Sequence, residues 1–300
     1  MNRSKEKVLI AGGTGLIGSQ LAQVLHNEQY EVAVLSRNPK KDIEYYWDPE
    51  KEELDEKALH GVSVLINLSG ASIADERWTK KRKKILEDSR IHTNRFLYNK
   101  IDHMPHLRQF ICASGINAYA PNNTTIYTET DTYGKDFLPQ LVRKWEDSAQ
   151  LFSDNVKVAM VRTAVVLAHE GGAYPKLSKL TKLGLGSALG KGDQPIPWIH
   201  MDDLVAIYLH ILKNKLEGTF NAVAANDSNE KFMRSLAKEM NKPFFLPHVP
   251  AWILKLALGE MSTLLLDGVC ASNEKIIQTG FTFRYPNLKS SFDQLTAASK

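Results

Sequence analysis

The chain has few cysteines, no long apolar run and no dominant charge, and each shortage removes a class of protein. Its two cysteines in 300 residues, Cys112 and Cys270, stand far apart without a CxxC neighbour. That excludes a disulfide framework and a zinc site, and it predicts a reducing compartment. His103-Met104-Pro105-His106 has neither a helical pattern nor acidic partners, so no metal site is expected. No apolar stretch approaches the roughly eighteen residues of a membrane span. The first residues, MNRSKEK, lead into a short apolar strand without the hydrophobic stretch of a signal peptide. The expected location is cytoplasmic. The formal charge is only +4, from 38 Lys and Arg against 34 Asp and Glu. One dense basic run, Lys80-Lys81-Arg82-Lys83-Lys84, is soon followed by Glu87 and Asp88. It lacks the broad basic face and aromatic platforms of a nucleic-acid binder and is read as a solvated helix face. No nucleic-acid or membrane partner is expected.

What is present is ordinary for a globular chain: 43% hydrophobic and 24% charged residues, with length enough to bury a core unaided. Val8–Ala11 reads as a buried strand closed by glycine. Leu16, Ile17, Leu21, Ala22, Val24 and Leu25 then follow a helical spacing to His26. Further strands are expected at Glu31–Leu35, Val62–Leu68, Gln109–Ser114 and Val156–Arg162, with helices over Trp78–Lys100 and Phe137–Phe152. Apolar, unalternating strands separated by helices predict a parallel sheet covered on both faces. After Arg162 the texture changes. Residues 171–192, rich in Gly, Lys and Leu, predict a loop and helix over a crevice. Helices are expected at Leu204–Leu212, Asn229–Met240 and Pro250–Leu266, and a late strand at Thr219–Val223.

The most informative local pattern is Gly12-Gly13-Thr14-Gly15-Leu16-Ile17-Gly18, whose Gly12, Gly15 and Gly18 form GxxGxxG between a strand and a helix. The first glycine permits a sharp turn and the second a close approach of backbone to a pyrophosphate. The third lets helix pack on sheet, while the helix N–H groups and dipole hold the phosphates. These features predict an α/β Rossmann domain, a doubly wound parallel sheet over residues 1–165 with a late contribution from about 200–225. A smaller C-terminal α/β substrate lobe is expected over 166–300. Ser36-Arg37 ends the second strand, where an acidic residue would serve a ribose hydroxyl and Arg accommodates a 2′-phosphate. The expected cofactor is NADP(H); alternatively Arg37 simply faces solvent at a strand end.

Asn67-Leu68-Ser69-Gly70-Ala71-Ser72, followed by Arg77-Trp78 and Asp88-Ser89-Arg90, resembles the atypical extended short-chain dehydrogenases, the epimerase (sugar-nucleotide epimerase-like) family. Val161-Arg162-Thr163 with Gly171-Gly172, Gly184-Leu185-Gly186 and Trp198–Asp203 continue the resemblance. So do Gly218–Ala222, Gly259-Glu260-Met261, and Gly280-Phe281 with Tyr285-Pro286, in order along nearly the whole chain. The resemblance implies a Rossmann domain with a C-terminal substrate lobe. It also implies a cofactor lying over Gly12, Thr14, Gly15, Leu16, Ile17, Gly18, Ser36, Arg37, Leu68, Ser69, Gly70 and Ala113. Sugar-nucleotide epimerisation or carbonyl reduction is the chemistry it implies.

Such enzymes use a Ser or Thr, a Tyr and a Lys, the last two as YxxxK on one helix face. The helix expected to carry them, Phe137–Glu146, has no YxxxK. If Glu146 closes the usual pattern, the Tyr and Lys places fall near Leu138 and Val142, which cannot transfer a proton. Tyr285 and Lys289 have the spacing but lie in the C-terminal lobe with Pro286 between them, which suits a helix badly. What remains is Ala113–Tyr119. Ser114 is the candidate hydroxyl, although counting back from Tyr119 places the usual position on Gly115. Tyr119 is a candidate displaced acid/base, or a structural tyrosine at the pocket wall. Asn67, Arg77 and Trp78 are candidate substrate contacts, Trp78 being equally suited to a core. His200 is a candidate proton donor, or a residue before a helix capped by Asp202.

Two functional classes therefore stand. One is an NADP(H)-dependent epimerase or reductase acting on a small polar or sugar-nucleotide-like substrate, as a monomer or homodimer. The other is a non-catalytic NADP(H)-binding redox sensor or regulatory partner, which the missing YxxxK favours.

Overall fold

Val8, Leu9, Ile10 and Ala11 are wholly buried, which requires a strand covered on both faces. In the computed structural model, which describes residues 5–154 and 156–297, they form β1 (Lys7–Ala11) at the centre of an eight-stranded sheet. Its companions are β2 (Glu31–Ser36), β3 (Glu44–Asp48), β4 (Glu53–Leu54), β5 (Val62–Asn67) and β6 (Gln109–Gly115), with β8 (Lys157–Thr163) and β11 (Gly218–Ala222) from later in the chain. The order is β11-β8-β6-β5-β1-β2-β3-β4. Every pairing is parallel except the short β3–β4 hairpin. After β1 the chain builds outward through β2 and β3, then returns to lay β5 on the other side. The crevice between the carboxyl ends of β1 and β5 is thus the topological switch point, where ligands of open parallel sheets bind.

Alternate residues of one strand feed opposite cores. Val8, Ile10, Val34 and Ile66 pack on one face, where α1 (Leu16–Asn27) lies against α5 (Met201–Asn214). Leu9, Ala11, Leu35 and Leu65 pack on the other, under α2 (Lys80–Tyr98) and α3 (Phe137–Ala149). The basic run opens α2, and much of its charge is matched locally. Arg82 pairs with Glu76, Lys83 with Glu260 and Lys84 with Asp88.

The later residues build a smaller layer. A three-stranded sheet places β10 (Pro195–His200) between β9 (Val165–Leu167) and β12 (Ala225–Ser228), and β7 (Asn122–Tyr127) pairs with β13 (Val269–Ala271). Around them lie α4 (Tyr174–Lys182), α6 (Asn229–Glu239), α7 (Ala251–Leu258), α8 (Thr263–Leu266), α9 (Glu274–Gln278) and α10 (Leu288–Ala297). The core beneath α1 runs on without a break into this layer through Phe232, Leu236, Phe292 and Leu295. Two departures from the expected pattern have clear causes. The single helix expected over Pro250–Leu266 breaks at Gly259, whose φ of +61° cannot continue an α-helix. The strands β4, β9, β12 and β13 carry too few residues for a periodic signal, β3 and β7 are largely exposed or half-exposed, and β10 is interrupted by Pro195 and Pro197. Among the described residues no helix is long and apolar enough to cross a membrane, and no group of three or more His, Cys, Asp or Glu side chains could hold a metal ion.

Candidate dinucleotide and active site

Three glycines shape the mouth of the crevice by what a side chain there would strike. At Gly12, with φ +77°, a Cβ would come within 2.9 Å of the Leu68 and Ser69 backbone, so β1 can turn only against the end of β5. At Gly18 a Cβ would stand 2.3 Å from the Gly12 carbonyl oxygen, which fixes α1 tightly on its own turn. Gly15 differs. Its Cβ would meet only the Gly12 oxygen, at 3.3 Å, leaving open space above. Gly15 is also the N-cap of α1, with no side chain capping the first turn and no acidic residue in it. The first-turn N–H groups and the helix dipole are therefore available to an anion. Leu16 and Ile17 are half-buried behind this turn, and Thr14 is exposed. The loop at Gly171 and Gly172, with φ of +82° and +68°, folds over Leu16, where a Gly171 Cβ would lie 3.1 Å from Cδ2.

The other expected cofactor residues share this edge of the sheet. Ser36 ends β2, buried, its Oγ accepting from the Asn38 N–H at 3.2 Å. Arg37 is exposed. Leu68, Ser69 and Gly70 follow β5, and Ala113 lies near the end of β6, half-buried. The 68–72 loop is held from below. Ser89 Oγ accepts from the Ala71 N–H at 3.0 Å, and Arg90 Nη2 donates to the Ala71 carbonyl at 2.9 Å. This gives the Asp88-Ser89-Arg90 motif a structural role.

Beyond β6 the site is polar and closed. Ser114 Oγ donates to Glu146 Oε1 at 2.5 Å, and Tyr133 OH donates to Oε2 at 2.6 Å. Arg162 donates to the same two oxygens through Nε and Nη2, at 2.8 Å each. Its Nη1 donates to Tyr119 OH at 2.9 Å, and Tyr119 donates onward to Asn221 Oδ1 at 2.8 Å. Arg162 also lies over the rings of Tyr119 and Tyr133, 5.0 and 5.1 Å from their centroids, favourable cation–π geometry. Burial raises the Tyr119 phenol above its ordinary value. Burial and the Glu146 charge push Tyr133 up further. Both phenols hold their protons at neutral pH, whereas a tyrosine acid/base is activated by a lowered pKa. Ser114, with its proton committed to Glu146, presents lone pairs only and suits a ligand hydroxyl as hydrogen-bond donor.

The expected substrate contacts fare differently from one another. Asn67 is fully buried; its Nδ2 donates to Asn94 Oδ1 at 2.7 Å and its Oδ1 accepts from the Ser69 N–H at 3.0 Å. It shapes the loop from inside and has no face for a substrate. His200 is likewise corrected. It is 2% exposed, and its Nδ1 accepts from the Asp202 N–H at 3.1 Å, so His200 rather than Asp202 caps α5. Its Nε2 meets Gln294 on α10 at 3.0 Å. Tyr119, expected as a displaced acid/base, is 1% exposed with its hydroxyl fully engaged, the structural alternative. Trp78 is buried against Phe137 with its Nε1 donating to the Ile73 carbonyl. Arg77 is exposed at the rim and donates to the Leu256 carbonyl. Tyr285 lies against His200 and Lys289 pairs with Asp293, outside the crevice.

Sequence reasoning missed Glu146, Tyr133 and Asn221 as a unit, and Arg162 as its centre. A signal was available, because an arginine directly after the apolar run 158–161, still within β8, can be buried only with an anionic partner.

A glycine-cradled helix at the switch point of a 3-2-1-4-5-6-type sheet is the architecture of a Rossmann dinucleotide-binding protein. The chain belongs to the NAD dependent epimerase/dehydratase family, whose model matches residues 8–223; a domain of unknown function (DUF1731) matches residues 249–295. It is 33% identical over 298 residues to the mouse epimerase family protein SDR39U1, covering 97% of this chain and 100% of that one. It is 33% identical over 308 residues to the epimerase family protein SH2119 of Staphylococcus haemolyticus, covering 98% and 100%. Human SDR39U1 (isoform 2), solved with NADPH, superposes with a TM-score of 0.90 at 30% identity, over 97% of this chain and 99% of that one. A nucleoside-diphosphate sugar epimerase from Corynebacterium glutamicum gives 0.79 at 27% identity, over 96% and 57%.

Proposed function

We propose that this chain binds NADP(H) in the crevice at Gly12–Gly18 and uses it in oxidoreductase chemistry on a small molecule. The observation that carries the reading is the uncapped start of α1 beneath open space at Gly15. The N–H groups of Leu16 and Ile17 suit a pyrophosphate, and Arg37 with Ser36 suits a 2′-phosphate. Leu68, Ser69, Gly70 and Ala113 would wall the remaining length of the dinucleotide. The NADPH bound to the human relative supports the choice of phosphate-bearing cofactor. When bound, the nicotinamide supplies or accepts a hydride. The chain's own contribution is to orient the ligand through Ser114 and exclude water behind Tyr119. Titration of the purified protein with NADPH and with NADH, followed by nicotinamide fluorescence, tests this. Selective NADPH binding is expected; equal or absent binding of both would sink it.

One observation favours a second reading. The hydroxyls of Ser114, Tyr119 and Tyr133 are each donated inward, and the residues near the expected Tyr and Lys places, Leu138 and Val142, are apolar. A non-catalytic NADP(H)-binding redox sensor or regulatory partner needs no such pair. Tight NADPH binding without turnover of any carbonyl or alcohol would favour it. Turnover abolished by Ser114→Ala would favour the enzyme.

A further inference from the structure

A third apolar cluster stands apart from the two that pack the sheet. Trp78, Leu86, Leu141 and Met261 are its buried members, and Leu138, Leu258 and Leu264 pack against them half-exposed. It joins the start of α3 to the turn after α7, at the carboxyl ends of β5 and β6. Ala71, just past β5, belongs to it. One turn along α3 from Leu138, Val142 reaches within 3.3 Å of where a Gly115 Cβ would be, beside Ser114. The cluster therefore flanks the Ser114 end of the crevice, with Leu138 near the expected place of the tyrosine.

The charges around it do not suit a phosphate. Lys83 is held by Glu260 at 2.6 Å. Arg82 is shared between Glu76 and the Ser72 carbonyl, and Arg77 is bonded to the Leu256 carbonyl. Asp136, which precedes α3, and Asp267, which follows α8, lie close enough to repel one another, with Lys255 as the opposing cation. A diphosphate here would have to draw Arg77 off the Leu256 carbonyl, break an existing ion pair or sit against two carboxylates. An apolar ligand asks for neither and removes half-exposed leucine surface from water.

We propose that the small molecule taken beside the dinucleotide is uncharged and mainly apolar, an alcohol or ketone with an aromatic or aliphatic body, and not a nucleoside diphosphate sugar. Leu138, Met261 and Leu264 set this preference. The assignment rests on the NADP(H) reading for the position of the crevice, and it replaces the small polar or sugar-nucleotide-like substrate expected from the family resemblance.

Calorimetric titration of the full chain tests it, with and without saturating NADPH, using acetophenone, 1-phenylethanol and UDP-glucose as probes. Saturable binding of at least one aromatic probe is expected, with none of UDP-glucose. Leu264→Glu is expected to weaken the aromatic probe about tenfold or more, because it sets a carboxylate against the ligand. Leu138→Gln is expected to weaken it less, and a retained NADPH titration shows that either variant is folded. UDP-glucose binding as tightly as the aromatic probes, or failure of the aromatic probes on NADPH-loaded protein, overturns the proposal. Failure of NADPH itself to bind sinks the cofactor reading separately. The titrations on the free chain then decide the cluster alone: aromatic binding lost in Leu264→Glu upholds it, and no aromatic binding overturns it.

Discussion

Arg162 and Glu146 meet through two parallel bonds of 2.8 Å, Nε to Oε1 and Nη2 to Oε2, with both side chains 3% exposed. The pair ties the end of β8 to the last turn of α3, and Ser114, Tyr133 and Tyr119 use most of its remaining hydrogen-bonding capacity. Burial disfavours the Arg162 charge, but the bonds and charge of Glu146 outweigh it and raise the guanidinium above its ordinary value. The arrangement stiffens the end of the crevice beyond β6.

Removing one member leaves the other charge buried and unmatched. Arg162→Met is expected to destabilise the fold by about 3–5 kcal/mol, and Glu146→Leu by a similar amount. The double variant should recover most of that loss, because the uncompensated charge disappears with its partner. Urea denaturation of the four proteins at neutral pH measures the coupling. Losses that simply add would show that the pair does not act as a unit.

The strands β1, β2, β5, β6 and β8 were legible because each is buried on both faces and so reads as a nearly unbroken apolar run. The glycine turn was equally legible, since its three constraints act within seven residues. The polar centre was not. Ser114, Glu146, Arg162 and Asn221 come from four separate elements, and nothing in local periodicity says that they meet. His200 misled for the opposite reason: an imidazole before a helix has the chemistry of a proton donor, and only the Asp202 N–H at its Nδ1, with Gln294 and Tyr285 closing around the ring, shows it to be a cap. The apolar cluster at Leu138 was visible only as an absence of YxxxK; its partners Leu258, Met261 and Leu264 lie more than a hundred residues away.

That cap makes stability depend on pH. Burial lowers the His200 imidazole below its ordinary 6.5, against the opposing charges of Asp202 and Asp203 and the Gln294 bond, with Arg284 adding to the lowering. As pH falls through that value the unfolded chain takes up the proton first. The stability is therefore complete above it and lost as pH falls towards the folded-state value. Protonation would also abolish the acceptor that Nδ1 offers to Asp202. The urea midpoint should fall between about pH 7.5 and 5.5, and His200→Asn, which can still cap a helix, should flatten that decline. An equal decline in both proteins would place its origin elsewhere.

Arg37 offers a test of cofactor choice away from the chemistry. Replacing it by aspartate removes a charge-assisted contact to a 2′-phosphate and adds repulsion. NADPH affinity should fall by ~1.5–3 kcal/mol, roughly ten- to a hundredfold. NADH should gain, because an acidic residue at this strand end suits the ribose hydroxyls. The ratio of the two dissociation constants, measured at one ionic strength, is the relevant quantity, since a change common to both would reflect only the net charge of the crevice. An unchanged ratio in Arg37→Asp would remove the second strand from the determinants of selectivity.

Gly15 and Gly18 separate the folding role of the glycine turn from its binding role. At Gly18 an added methyl would stand 2.3 Å from the Gly12 oxygen and 2.6 Å from the Gly13 Cα. Both are backbone atoms of the same tight turn, so Gly18→Ala must pry α1 from β1 and should lower the melting temperature sharply. At Gly15 the methyl meets only one atom at 3.3 Å, and the backbone is already extended at φ −77° and ψ 178°. Gly15→Ala should therefore fold with nearly the wild-type melting temperature, because alanine accepts that conformation without strain. Its methyl would nonetheless project into the space above α1, where a pyrophosphate needs to approach the N–H groups. Loss of NADPH binding from a protein that melts normally is the expected result. Thermal melts and nicotinamide fluorescence on the same samples read the two roles independently. Wild-type affinity in Gly15→Ala would move the phosphates away from this turn, and with them the cofactor reading.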